Sequence, residues 1–386
     1  ADLLLASGEK MTLFTNAMRW TGRSNPVKVG EQIWIRQRTN GEWQLGQIPA
    51  ANSALVSLNS DNGAIEAIVG GFSYEQSKFN RATQSLVQVG SSIKPFIYAA
   101  ALEKGLTLSS VLQDSPISIQ KPGQKLWQPK NSPDRYDGPM RLRVGLGQSK
   151  NMIAIRAIQT ASIDFTAEFL QRFGFKRDQY FASEALALGA ASFTPLEMAR
   201  AYAVFDNGGF LIEPYIIERI QDNAGKDLFV ANPKIACIEC NDIPVVYGET
   251  KDKINGFANI PLGENALKPS DDSTNGEEVD QQPETVPELP ELQSNVTALK
   301  EDAIDLMAAA KNASSKTEYA PRVISGELAF LIRTALNTAI YGEQGLDWKG
   351  TSWRIAQTIK RSDIGGKTGT TNSSKVAWYA GFGANL

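Results

Sequence analysis

The sequence predicts an α+β fold: an antiparallel sheet flanked by amphipathic helices, behind a small, partial β-rich module at the N-terminus. Three observations predict it. Alternating apolar runs separated by Asn-Gly and Asp-Asn-Gly turns occupy residues 31–69. Helical apolar spacing then starts near Ser91, dominates from Met140 to about Gly209 and returns from Ser325 to Ile340. A last strand–turn–strand pattern surrounds Lys367. At 386 residues and 42% apolar content, the chain is long enough for one large domain with an accessory module.

In chain order, Glu31–Arg38 alternates around Ile33 and Ile35, Asn40-Gly41 makes a turn, and Trp43–Ile48 returns. Residues 1–50 therefore read as a partial β-rich, linker-like or barrel-like module. Ala54–Leu58 and Ala64–Val69 form a second hairpin across Ser60-Asp-Asn-Gly63, and open a larger domain spanning 51–386. From Ser91, the residues Ile93, Phe96, Ile97, Ala100 and Leu102 give an apolar helical face, with Pro95 early, where its missing donor costs least, and Lys104-Gly105 as the stop. Thr194-Pro-Leu-Glu197 is a capping box, and Asn207-Gly208-Gly209 closes that helix. Between Glu264 and Leu292, nine acidic residues accompany one lysine and four prolines, the composition of a disordered insertion, extending over about 250–320.

Composition narrows the function. The chain has no histidine, which excludes a Ser-His-Asp hydrolase. A net charge of −3 gives no reason to expect nucleic acid as a partner. No apolar run reaches the length of a membrane span. The opening Ala-Asp-Leu-Leu-Leu has no basic region and reads as a cut inside a longer protein. The two cysteines, Cys237 and Cys240, are too few for a zinc site without histidine and favour a small loop-closing disulfide. No metal or other cofactor is expected.

Three motifs carry the chemistry: Ser91-Ser-Ile-Lys94, Ser149-Lys-Asn151 and Lys367-Thr-Gly369. Each alone is weak, since Ser7–Lys10 and Ser118–Lys121 also fit S-x-x-K, and a serine at a helix start is usually only a cap. At i and i+3 of one helix, Ser91 and Lys94 share a face, which places a base beside a nucleophile. Ser149 and Asn151 fall at a break between helices, where a hydroxyl can relay protons and an amide can bind a substrate carbonyl. On an extended strand Thr368 and Thr370 face the same way, suited to a carboxylate, and Gly369 lets a substrate backbone approach. A peptide would then add along this edge as an extra strand. S-x-x-K, S-D-N and K-T-G in this order are the signature of class A β-lactamases and penicillin-binding proteins; here the middle motif takes the looser S-x-N form.

Longer runs strengthen the match: Ala54–Asn59, Val69–Phe72, Ser77–Gln84, Val89–Phe96, Trp127–Ser132, Gly147–Asn151 and Ile364–Asn372. Over about Gly46 to Gly383 the chain resembles the class A (bifunctional) penicillin-binding proteins, in their transpeptidase part, with the acidic insertion the poorest match. The resemblance implies a serine β-lactamase/transpeptidase-like fold, an OB-like or linker N-terminal region, and a D-Ala-D-Ala transpeptidase that cross-links peptidoglycan stem peptides. Ser91 would attack the carbonyl between two terminal D-alanines, and an amine of a neighbouring stem peptide would resolve the acyl-enzyme. β-Lactams would acylate the same serine. Lys94 and Ser149 would handle protons, Asn151, Lys367, Thr368, Gly369 and Thr370 would bind substrate, and the backbone amides of Ser91 and Thr370 would form the oxyanion hole. To act as a neutral base at pH 7, Lys94 must titrate roughly three pH units below a free lysine near ~10.4.

Members of this family carry an N-terminal membrane helix and a glycosyltransferase domain and continue beyond the last strand with a further strand and a closing helix. The resemblance therefore implies that this chain is cut from a periplasmic protein held on the inner membrane through a missing N-terminal segment, itself a glycosyltransferase in full, and open to protein activators. Three further readings share the motifs: a β-lactamase, a D,D-carboxypeptidase, and a non-catalytic β-lactam sensor. The absence of any evident deacylating glutamate counts against the first.

Overall fold

The computed structural model describes residues 1–21, 27–123, 125–240, 242–246, 317–371 and 376–383. The acidic stretch and the 372–375 turn lie outside the described residues. The described chain divides into two units, Ala1–Ala54 with Val69–Arg81, and Leu55–Ile68 with Ala82–Leu386.

In the first unit, Asp2–Leu4 pairs with Lys10–Thr12, and Trp34–Gln37 pairs with Trp43–Gly46 in the register Ile35 to Leu45. The Asn40-Gly41 hairpin closes as the sequence predicts, with Gly41 at φ 84° and its N–H donated to the Arg38 carbonyl. Leu13 and Leu45 are buried, and Trp20 donates its indole N–H to the Leu45 carbonyl at 3.1 Å. The described strands of this unit pair only as two-stranded ribbons.

The second unit is built on the helix Lys94–Glu103, whose residues Lys94 to Leu102 are all buried. A helix buried nearly all round must be apolar nearly all round, and between its two charged ends, Lys94 and Glu103, this one carries no charge. The helix is shorter than its sequence pattern implies. A 3-10 turn over Gly90–Ile93 precedes it, and the Lys94 N–H donates to the Ser91 carbonyl across that turn. Phe96 anchors the core, meeting Phe173, Phe175 and Tyr202 edge-on at centroid distances of 4.9, 5.2 and 5.4 Å.

The long helical stretch expected from Met140 onward is interrupted. It resolves into helices Leu142–Gly147, Asn151–Ala161, Ile163–Gln171 and Pro195–Asp206, with the strands Gly138–Arg141 and Ser192–Phe193 beside them. Positive φ at Ser149 (60°) makes the break expected there from the second motif, and at Ser162 (76°) a further one that was not expected. Apolar periodicity does not register such breaks, because the flanking helices keep their buried faces. The Thr194 capping box forms, Thr194 N–H to Glu197 Oε2 at 2.8 Å and Glu197 N–H to Thr194 Oγ1 at 3.2 Å. Ser325 caps Gly326–Tyr341, which buries Leu328, Ile332, Leu336 and Ile340.

Six of the seven described strand pairs are antiparallel in register, and each described sheet has two strands. Gly365–Thr370 pairs with Ala377–Phe382, Thr368 opposite Tyr379 and Gly369 opposite Trp378. This hairpin rests on the helices Gly326–Tyr341 and Pro195–Asp206, and the strand Leu55–Leu58 also contacts Pro195–Asp206. Cys237 and Cys240 are disulfide-bonded with Cα atoms 5.2 Å apart. Among the described residues no helix is long and apolar enough to cross a membrane.

The aromatic cluster makes Phe96→Ala a direct test of this core. Truncation should lower unfolding free energy by about 3–5 kcal/mol, read as a fall in the urea midpoint at unchanged m-value. A loss below ~1 kcal/mol would show that Phe96 is not packed as described.

Candidate active site

Three backbone elements converge. The Gly90–Ile93 turn lies between the strand Gly365–Thr370 and the segment ending at Gly189. A Cβ on Gly90 would fall 2.6 Å from the Thr370 carbonyl oxygen, and one on Gly189 would fall 2.1 Å from the Gly90 oxygen. Both positions have positive φ, so only glycine allows this approach at little cost. The turn is tied down further by Tyr202 Oη donating to Ser92 O at 2.8 Å and Trp378 Nε1 donating to Gln88 O at 3.0 Å. Ser91 is thereby placed beside the end of the Lys367 strand.

The third element is the turn between helices Leu142–Gly147 and Asn151–Ala161. Ser149 N–H donates to Leu146 O and Lys150 N–H to Gly145 O. Ser149 itself is held at φ 60°, a conformation costing a non-glycine residue roughly 1–3 kcal/mol. Its hydroxyl is where the motifs meet. Lys367 Nζ donates to Ser149 Oγ at 2.8 Å, and Lys94 Nζ donates to the same oxygen at 3.3 Å. Lys94 also donates to Ser149 O at 2.6 Å and Asn151 Oδ1 at 2.7 Å, and Lys367 to Thr368 O at 2.9 Å.

Both amines are fully buried, and no carboxylate lies within ion-pair distance of either among the described residues. Burial, and then the charge of Lys367, hold Lys94 well below the ordinary lysine value. Burial brings Lys367 down to about 7. The charge on Lys367 adds to desolvation in disfavouring a cation at Lys94.

The structure brings Lys94, Ser149, Asn151, Lys367 and Thr368 into one hydrogen-bonded cluster, with Ser91 and Thr370 at its edge. Three placements differ from the sequence reading. No hydrogen bond joins Ser91 Oγ to Lys94 Nζ, whose three donors go to Ser149 and Asn151. Asn151 is not wholly free for substrate, since Oδ1 accepts from Lys94 and Nδ2 donates to Lys130 O at 2.6 Å. Gly369 is small because the chain itself approaches it: a Cβ there would meet Ser92 Oγ at 2.4 Å and Val89 O at 2.5 Å. Thr368 Oγ1 donates to Thr351 Oγ1 at 2.9 Å, while Thr370 is exposed. Thr351 and Gly189 carried no sequence signal. Asn131, which bonds the Asn151 N–H, lay in the Trp127–Ser132 run without a role.

Residues 53–244 match the family model described as the penicillin binding protein transpeptidase domain. Over its whole length the chain is 95% identical to penicillin-binding protein 1A of Haemophilus influenzae and 49% identical to that of Escherichia coli K12. It spans 45% and 44% of those relatives, about half of each. The 2.6 Å crystal structure of the Haemophilus influenzae protein covers all of this chain at a TM-score of 0.80 and 82% identity, with 49% of that chain matched. The D,D-transpeptidase domain of an Eggerthella lenta peptidoglycan glycosyltransferase, at 16% identity and a TM-score of 0.52 over 86% of this chain and 70% of that one, shares the fold. With the motif order, the cluster around Ser149 and these similarities together, the chain belongs to the class A penicillin-binding proteins, which it matches through their transpeptidase domain.

Proposed function

We propose that this chain is a D-Ala-D-Ala transpeptidase that cross-links peptidoglycan stem peptides through an acyl-Ser91 intermediate and is acylated there by β-lactams. The observation that supports the reading best is the convergence of two buried, depressed lysine amines on one serine hydroxyl, beside a second serine at a helix start. A neutral Lys94 keeps two N–H donors, enough for Ser149 O and Asn151 Oδ1, and frees a lone pair for the Ser91 proton. Apo hydrogen bonds of this kind tighten when substrate binds, so the missing Ser91–Lys94 bond is compatible with the role.

In the forward step Ser91 Oγ bonds to the carbonyl carbon between the two D-alanines, and its proton passes to Lys94. The Ser91 and Thr370 amides receive the developing oxyanion, each donor contributing about 3–4 kcal/mol. The C–N bond then breaks. Terminal D-alanine departs with a proton delivered through the Ser149 hydroxyl, which Lys94 and Lys367 both reach. An incoming amine reverses the sequence and leaves Ser91 free. Lys367, Thr368 and Thr370 hold the substrate carboxylate, and Asn151 offers its remaining amide proton to the substrate.

The same reading makes residues 1–50 the linker or OB-like region and 51–386 the transpeptidase domain with an acidic insertion. It places the full protein in the periplasm, attached to the inner membrane, with a glycosyltransferase among its other parts.

Two outcomes test this. Incubation with penicillin followed by mass spectrometry should put one adduct on Ser91, absent from Ser91→Ala; an adduct on another serine, or one surviving in the variant, overturns the assignment. The acylation rate should be bell-shaped in pH. It rises as Lys94 loses its proton, well below 10.5, and falls as Lys367 loses its own near 7 in the free enzyme. Lys367→Arg should remove the falling limb, because arginine stays charged throughout. A profile that only begins to rise near the free-lysine value would exclude Lys94 as the base.

A further inference from the structure

The middle residue of the second motif, Lys150, bonds to neither Lys94 nor Lys367 but to two carboxylates. Its Nζ lies 3.0 Å from Asp114 Oδ2 and 2.5 Å from Asp137 Oδ2. Asp114 ends the strand Val111–Asp114 and is completely buried. Its other oxygen, Oδ1, accepts from Asn131 Nδ2 at 2.7 Å, and Oδ2 also accepts from the Asp137 N–H at 3.0 Å. Asn131, 6% exposed, sends its second amide proton to Arg135 O. Its Oδ1 accepts from Asn151 N–H at 2.8 Å and Met152 N–H at 3.3 Å. Lys150, at the N-cap of the helix Asn151–Ala161, makes no side-chain capping bond, so the capping acceptor comes from Asn131 instead.

One buried carboxylate thus holds the residues on the C-terminal side of Ser149 by two routes: Lys150 through its amine, and Asn151 through the Asn131 amide. These restraints add to the Ser149–Leu146 and Lys150–Gly145 backbone bonds and to the Asn151 Nδ2–Lys130 bond in holding the turn. A buried ion pair carries a desolvation cost that its attraction commonly only offsets, so net stability gives a poor reason for this one. We propose that Asp114 is a positioning residue for the reaction, acting through Lys150 and Asn131 to hold Ser149 and Asn151 against Lys94. The inference rests on the reading of Ser91 as the acylated nucleophile. It also explains why lysine stands in the middle of this motif: two acids behind the turn receive it.

The test uses the chain with a fluorescent penicillin over a range of concentrations, giving the first-order acylation constant and the dissociation constant of the preceding complex. Thermal melts report the folded fraction. Asp114→Asn keeps the size and a hydrogen-bonding amide but loses the charge; Lys150→Met removes the amine. Per folded molecule, each should lower the acylation constant ~10- to 100-fold, as expected for a misplaced reacting group. The dissociation constant should change less than the acylation constant, because Lys367, Thr368 and Thr370 stay on their own strand and only the Asn151 contact shifts. The double variant should be no more than about twofold slower than the slower single one, since both remove the same restraint.

Acylation constants within about twofold of the parent in folded single variants would overturn the proposal, as would losses that track the melted fraction alone. Should Asp114→Asn fail to fold, Lys150→Met, at a partly solvated side chain, decides by the same criterion. A parent chain that penicillin does not label defeats the reading of Ser91 instead; a labelled parent with indifferent variants defeats this inference alone.

Discussion

The cleft depends on one hydroxyl shared by two buried amines. Ser149 Oγ receives Lys367 at 2.8 Å and Lys94 at 3.3 Å, in an environment where neither cation has a carboxylate within ion-pair distance among the described residues. Burial without a counter-charge lowers the proton affinity of both, and the charge of Lys367 lowers that of Lys94 further. A single tertiary contact therefore sets the protonation states that a lysine-based mechanism requires.

That contact needs the backbones closer than ordinary side chains permit. Gly90 lies against Thr370 on one side and Gly189 on the other, and Gly369 lies against Val89 and Ser92. The glycine of the third motif thus serves the assembly of the site, where the motif alone pointed to substrate approach. The polar restraint works from the opposite direction, with Asp114, Asn131 and Lys150 behind the Ser149 turn. Glycines set how near the elements come; the buried carboxylate sets how the turn is oriented when they meet.

The apolar core supports both. The helix Lys94–Glu103 is buried on every side, so its first residue is carried into the interior with it. Lys94 is desolvated because it begins a helix that has no exposed face, and Phe96, two residues on, is locked among Phe173, Phe175 and Tyr202. The aromatic cluster thus packs two residues from Lys94 and the turn that carries Ser91.

Much of this could be read from the residues in order. The hairpins at Asn40-Gly41 and Ser60–Gly63, the Thr194 capping box, the Ser325 helix and the three motifs with their spacing are local features, fixed by backbone sterics and side-chain periodicity within a few residues. The breaks at Ser149 and Ser162 were partly hidden, because apolar spacing continues across a turn whose flanking helices bury the same face. Nothing local predicted that Asn151 would accept from Lys94, that Thr351 would meet Thr368, or that Asp114 would hold Lys150. Lys367 and Ser149 are 218 residues apart in the chain. Their contact, and the loss of hydration that shifts both lysines, arise only when separate elements exclude water from one volume, which is a collective property of the folded core.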